Sequence, residues 1–240
     1  MMQDVPIQLL RRLAVQWQVP ERDGYTYCLP PTQMPPDDVN LPDETLAAIQ
    51  ASETGAILFW SPGETRLVLP PFPVESEATA PGWEMSLLWP LLERRRTVLV
   101  LLLRMSGFAV GIFEGEHLAL SKTGTHFVKG RHKKGGSSSA RFARRREDQA
   151  RMLFDKAAET LQERVDAYTG NLSYLILGGD RLTLLAFEKR CPFLQRLEVI
   201  RLRRILNVER PSLNALKELP RQIYMSRVST LGVDIRSEPD

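Results

Sequence analysis

Cysteine is scarce in this chain. Cys28 and Cys191 are the two in 240 residues, and they lie far apart. A small secreted scaffold would carry a denser cysteine framework, so two free thiols in a reducing, cytoplasmic setting are the expectation. Long apolar runs are also missing: the longest, Thr97 to Leu103, is far too short to span a bilayer and reads as a buried strand. The opening MMQDVPIQLLRRLAVQW has neither a long apolar core nor a small-residue cleavage site, and is not expected to be a signal peptide. His117 and His126 have no cysteine or carboxylate partners at ligand spacing, so neither a metal site nor a cofactor is expected. Ser137, Ser138 and Ser139 resemble no nucleophile elbow. Gly178-Gly179-Asp180 has no P-loop lysine and reads as the end of a strand.

What is present is segregated. Residues 1–94 hold five Lys/Arg against 13 Asp/Glu, a net −8, whereas residues 95–240 hold 27 against 16, a net +11. Charge divided in this way points to one half that faces a polyanion, the alternative being two halves that dock on each other. Thirteen of the 17 prolines fall in the first 90 residues, which also favours a boundary near residues 90–96. Three units are therefore expected: an acidic, Pro-rich module over 1–94, a basic domain over 95–230 and a short tail over 231–240.

In the first module the pattern predicts helices over Ile7–Trp17 and Leu46–Ser52, and a hairpin from Ala56–Trp60 and Arg66–Leu69 around Ser61-Pro62-Gly63-Glu64. Tyr25 to Asn40 is Pro-rich and is expected to be an irregular loop. Trp17, Trp60, Trp83 and Trp89 are expected in the core. In the second, Val98–Leu103, Phe108–Phe113 and His117–Ser121 read as three consecutive strands. A helix follows from Arg141 to about Tyr168, its buried face carrying Phe142, Met152, Leu153, Ala157, Leu161 and Val165. Tyr174–Leu177 and Leu197–Leu202 read as strands, with helices over Leu182–Lys189 and Asn214–Leu219. That order implies an α/β (α+β) fold, a mixed sheet with packed helices and a small α+β module in front of it.

Residues 129–151, KGRHKKGGSSSARFARRREDQAR, hold nine Lys/Arg and two Asp/Glu, an excess too large for local pairing to absorb. Lys129, Arg131, His132, Lys133 and Lys134 would neutralise phosphates from a loop. Arg141, Arg144, Arg145 and Arg151 would add donors on the helix, Arg144 and Arg151 sharing one face. The alternative is a solvated helix whose arginines pair with Glu147, Asp148 and Asp155. Arg196, Arg201, Arg203 and Arg204 form a second basic group, either more RNA surface or the exposed side of a strand.

Gly135-Gly136, followed after Ala140 by Arg141-Phe142-Ala143-Arg144 and Arg146-Glu147, resembles the Gly-Gly-Gln loop and following helix of the release-factor superfamily of eukaryotes and archaea. Upstream, Gly107 to Phe113 with Gly115-Glu116 is similar to the hairpin before that loop; downstream, Tyr174 to Asp180 is similar to its central strand and turn. The resemblance covers about 130 residues in the same order, and the spacing is closer still to bacterial relatives of the ribosome quality-control peptidyl-tRNA hydrolases. It implies a projecting loop that enters the large ribosomal subunit, contacts ribosomal RNA and peptidyl-tRNA, and promotes water attack on the ester, with Gly135, Gly136, Ser137 and Ser138 at the catalytic tip. Two glycines let the backbone take positive φ and approach RNA without a Cβ. The family's glutamine would fall at Ser137, or at Ser138 in the quality-control branch, and no glutamine occurs between Lys129 and Glu147. A non-catalytic ribosome- or tRNA-binding factor therefore stays open, as does a nuclease acting on the tRNA 3′ end. The acidic module shows no codon-reading resemblance and is expected either to meet a protein partner or to hold the catalytic domain in orientation.

Overall fold

The computed structural model describes residues 1–18, 23–125 and 138–232, with side chains from residue 144 onward in the last range. The chain divides into two units, Arg95–Pro220 and the remainder.

The first unit contains β1 (Gln3–Pro6), α1 (Ile7–Trp17), β2 (Tyr25–Leu29), α2 (Asp43–Gln50), β3 (Ala56–Ser61), β4 (Glu64–Leu69), β5 (Ala78–Pro81) and α3 (Trp89–Glu93). The second contains β6 (Thr97–Arg104), β7 (Gly107–Glu114), β8 (His117–Thr125), α4 (Ser138–Asp166), β9 (Tyr174–Gly179), α5 (Arg181–Glu188), α6 (Pro192–Arg196), β10 (Ile200–Leu206) and α7 (Leu213–Glu218). A last strand, β11 (Met225–Leu231), returns to the first unit, where it pairs antiparallel with β1 and β4. The sequence pattern places the end of the second domain at residue 230. Backbone pairing moves the stretch from Arg221 into the first unit, because Val228 is bonded in register with both Gln3 and Val68.

In the first unit the six strands run β1-β11-β4-β3-β2-β5, all antiparallel. Helix α1 buries Ile7, Leu10, Ala14 and Trp17, a helical spacing that matches its amphipathic sequence. Phe59 lies between Trp17 and Trp83, its ring centroid 5.8 Å from each, and the Arg66 guanidinium stands over both indoles. Trp17 and Trp83 are thus buried, while Trp60 and Trp89 are half-buried. The expected loop from Tyr25 begins instead with β2. Its five residues precede the first proline of that stretch and pair on both sides, with β3 and β5.

The second unit is a mixed five-stranded sheet ordered β10-β9-β6-β7-β8, with β6 and β10 parallel to β9 and the remaining pairs antiparallel. β6 lies inside the sheet and is covered on both faces, which is why Val98 to Leu103 is an unbroken apolar run. Leu99, Leu101 and Leu103 join Val110, Ile112 and Leu175 beneath Leu153, Ala157 and Leu161 of α4. Each such buried side chain contributes about 1.5–3 kcal/mol of transfer free energy. On the opposite side α7 packs against β7 and β8, bringing Leu216 to Gly111, where a Cβ would meet its side chain at 3.0 Å.

Candidate functional site

Two elements bracket the basic segment, β8 before it and α4 after it. β8 pairs with β7 out to Thr125, opposite Gly107, with one register shift between Ile112 and Phe113, so the pairing continues to the last residue described before the basic segment. Its end is tightly built. A Cβ on Gly124 would fall 2.4 Å from the Phe108 ring, and one on Gly107, at φ +151°, would fall 2.5 Å from the Gly124 carbonyl oxygen. Both glycines answer close approaches between the strands.

On the other side α4 runs for 29 residues, about 43 Å at 1.5 Å per residue. Its second half is docked: Leu153, Phe154, Ala157, Thr160 and Leu161 are buried, and Phe154 meets the Phe187 ring of α5 edge-on at 5.8 Å. Tyr168, just past the helix, donates its hydroxyl to Glu114 Oε1 at 2.9 Å. Burial is the main cause that raises the Tyr168 pKa. From Arg144 to Met152 no described side chain is buried; Met152, expected on the buried face, is exposed because the sheet contact begins one residue later at Leu153, and the side chain of Phe142 lies outside the description. Ser138 lies about 22 Å along the axis from Leu153, so half of the helix length precedes the first anchor among the described side chains.

Of the residues expected to meet RNA or reacting groups, Lys129, Arg131, His132, Lys133, Lys134, Gly135, Gly136 and Ser137 lie outside the described residues. Ser138 is the first residue of α4 and Arg141 lies in its first turn, their side chains outside the description. Arg144, Arg145 and Arg151 are exposed on the undocked half. The structure bears on whether carboxylates absorb this charge. Arg151 stands 3.9 Å from Asp148, while Asp155 faces Arg190 at 3.4 Å, away from the arginine cluster. Neither Arg144 nor Arg145 has an ion-pair partner among the described residues. The helix therefore presents positive charge that its own acids do not neutralise.

The Gly178-Gly179-Asp180 turn has a structural role. Gly179, at φ +114°, lies so close to β6 that a Cβ would sit 2.2 Å from the Leu103 carbonyl oxygen. Asp180 then caps α5, accepting from the Thr183 N–H at 2.8 Å and the Thr183 hydroxyl at 2.7 Å. Those bonds hold its carboxyl below the ordinary value. A carboxylate already fills the anion position of that helix. The thiols are equally committed: both are buried, and burial pushes Cys28 up to about 11 and Cys191 upward.

Of the second basic group, Arg196 is exposed at the end of α6 and Arg201, Arg203 and Arg204 lie on β10. Arg181, which the sequence reading did not single out, joins the last three around a cavity between α5 and β10. Among the described residues no helix is long and apolar enough to cross a membrane.

A mixed sheet carrying a hairpin that feeds, through a basic double-glycine segment, into a long half-exposed helix is the organisation of a release-factor-like domain. Residues 96–229 match the family model described as Actinobacteria/chloroflexi VLRF1 release factor, and the chain belongs to that family. No curated protein matches it. Among solved structures it is similar to an archaeal translation termination factor, aRF1, at 17% identity over 92% of this chain and 73% of that one, TM-score 0.42. It is also similar to the Pelota protein of Thermoplasma acidophilum at 10% identity over 91% of this chain and 62% of that one, TM-score 0.30. The Archaeoglobus fulgidus Pelota gives 10% identity over 92% and 61%, TM-score 0.31.

Proposed function

We propose that this release-factor family member hydrolyses the peptidyl-tRNA ester on stalled large ribosomal subunits, without reading a codon. The observation that carries the reading is α4: a long helix whose described buried side chains all lie in its second half, with Arg144 and Arg145, which have no ion-pair partner among the described residues, on the half that leads to the basic Gly135-Gly136 segment. Positive charge on such a rod offsets phosphate repulsion as the segment enters RNA. In the reaction the oxygen of water bonds to the ester carbonyl carbon, the bond from that carbon to the terminal ribose oxygen breaks, and the ribose oxygen takes up a proton. The peptide leaves as a carboxylic acid and the tRNA keeps an intact 3′ end. Backbone N–H groups of the segment supply donors for the developing oxyanion, and the glycines let them approach. Ser137 and Ser138 offer a hydroxyl where the superfamily carries an amide.

Large subunits bearing labelled peptidyl-tRNA test the proposal. Peptide release well above buffer is expected, with Gly136→Ala lowering release while subunit binding is retained. No release by a protein that binds the subunit would overturn it. The absence of a glutamine favours a second reading, a factor that occupies the site without turnover. Activity that appears only in Ser137→Gln or Ser138→Gln would establish that reading instead. A shortened tRNA product would indicate cleavage of the nucleic acid.

A further inference from the structure

The first unit carries an aromatic face that none of the chemistry above uses. From Asp23 to Thr65 the sequence holds seven Asp/Glu and no lysine or arginine, and this stretch builds β2, α2, β3 and the turn into β4. Strand register sets Pro81, Tyr25, Trp60 and Thr65 side by side across β5, β2, β3 and β4, and residues directly opposite share a face. In that row Tyr25 is 47% exposed, Pro81 is exposed and Trp60 is half-buried. Two residues along β2 on the same face, the Tyr27 ring lies 6.0 Å from that of Tyr25. Burial raises the Tyr27 pKa, and the nearby Asp38 carboxylate raises it further. Asp37 and Asp38 are exposed, and neither has an ion-pair partner among the described residues. The strand ends that carry the rings are fixed. Gly24, at φ +122°, comes so close to β3 that a Cβ would fall 2.0 Å from the Trp60 carbonyl oxygen, and its own carbonyl accepts the Gly82 N–H at 2.8 Å. The rings therefore stand preorganised.

We infer that the Tyr25–Trp60 face docks a protein partner through a segment that presents arginine or lysine side chains. An aromatic ring attracts a cation held over its plane, and a carboxylate beside the ring adds to that attraction. The other face of the same sheet already uses this chemistry internally, with the Arg66 guanidinium 4.7 Å from the Trp17 ring centroid and 5.1 Å from that of Trp83. Charge complementarity selects the occupant. RNA bases would stack on the rings, but their phosphates would meet carboxylates in a stretch that has no lysine or arginine to neutralise them. A purely apolar segment would cover the rings and leave Asp38 desolvated beside them without a partner. The same face of a second copy carries the same negative charge and is repelled. The inference stands apart from ester hydrolysis.

The test uses the full chain and three fluorescein-labelled decapeptides that alternate glycine with arginine, lysine or glutamate. Fluorescence anisotropy is expected to show saturable binding of the arginine and lysine peptides and none of the glutamate peptide. Binding is expected to shift the Trp60 indole N–H resonance, identified by its loss in Trp60→Phe. Tyr25→Ala is expected to weaken affinity about tenfold, Tyr25→Phe to keep it within about twofold because the ring remains, and Asp38→Asn to weaken it about threefold or more. Asp166→Asn removes an exposed carboxylate of the other unit and is expected to leave affinity unchanged. Thermal unfolding checks each variant; should Tyr25→Ala not fold, the Asp38→Asn loss and the Trp60 shift decide. Affinity unchanged in Tyr25→Ala and Asp38→Asn, or lost equally in Asp166→Asn, overturns the proposal, since the peptides then sense net charge alone. So does an unmoved Trp60 resonance. A shift of that resonance by polyuridylate that Tyr25→Ala abolishes would assign the face to RNA instead. A concentration-dependent dimer in light scattering that Tyr25→Ala dissolves would assign it to a second copy. None of these readouts involves peptidyl-tRNA, so failure here and failure of the release assay are separate results.

Discussion

The two halves of α4 share one backbone and differ in what surrounds them. From Leu153 onward the helix repeats apolar residues at 153, 157, 161 and 165, and the sheet covers that stripe. From Arg144 to Met152 it repeats charge, and no described side chain is buried. Most helices in compact domains owe their stability to the packed face, since propensity alone leaves short isolated helices marginal in water. Here the docked half supplies the packing, and the first half propagates from it as an extension. The comparison teaches that stability and presentation are separated along one element, and substitutions can test the separation.

The largest effect belongs to the docked half. Leu161→Ala removes a fully buried side chain between helix and sheet and is expected to destabilise the unit by about 2–5 kcal/mol, read from denaturant or thermal unfolding. A loss below about 0.5 kcal/mol would show that the anchor lies elsewhere.

At the base of the hairpin that feeds the segment, Gly124→Ala places a methyl 2.4 Å from the Phe108 ring, and the ring has to move. Overpacking of that kind costs about 1–3 kcal/mol. Combining it with Phe108→Leu is expected to give less than the sum of the two single effects, because the second change makes room for the first. Strict additivity in unfolding measurements would disprove the contact.

How much of this was legible beforehand depended on where the partners lie. The run Val98–Leu103, the turn at Gly107 and the apolar repeat of α4 are local patterns, and the elements they announced are present to within a few residues. β2 was hidden because Pro30 and Pro31 follow it immediately, and five residues with two sheet neighbours look like the start of a loop. β11 was misplaced for another reason. Nothing in Met225 to Leu231 says that its neighbours are β1 and β4, more than 150 residues earlier, since pairing partners are set by tertiary register. The same limit applies to sites. The charge of residues 129–151 could be counted, and Arg201, Arg203 and Arg204 could be seen as a group. Arg181 joins them only because β9 and β10 pair in parallel, and that parallel register cannot be counted along a chain.

A smaller effect is expected at the start of α5, where Asp180→Ala removes the cap and costs about 1 kcal/mol at neutral pH. The Thr183 bonds lower the folded carboxyl below its ordinary 3.8, so its stabilising contribution is complete above that value and is lost as pH falls through the lowered one. The difference between wild type and variant in unfolding free energy should therefore shrink on acidification below about pH 4. A difference constant down to pH 2 would remove the carboxylate from the account.

The smallest stability effect falls on the undocked half, and it is the most informative about function. Arg144→Ala and Arg145→Ala lose no ion pair among the described residues and uncover no core, so unfolding is expected to change by less than about 0.5 kcal/mol. Binding to large ribosomal subunits, measured across a potassium chloride series, should behave differently. Each arginine that neutralises a phosphate adds about one to the slope of log affinity against log salt, so the double variant should lose about two. A solvated helix and an RNA-facing one make the same prediction for stability and opposite ones for this slope. If the slope stays unchanged, Arg144 and Arg145 are ordinary surface charge and the first half of α4 meets something other than RNA. If it falls while the melting curve does not move, the arginines serve the ligand and the leucines serve the fold.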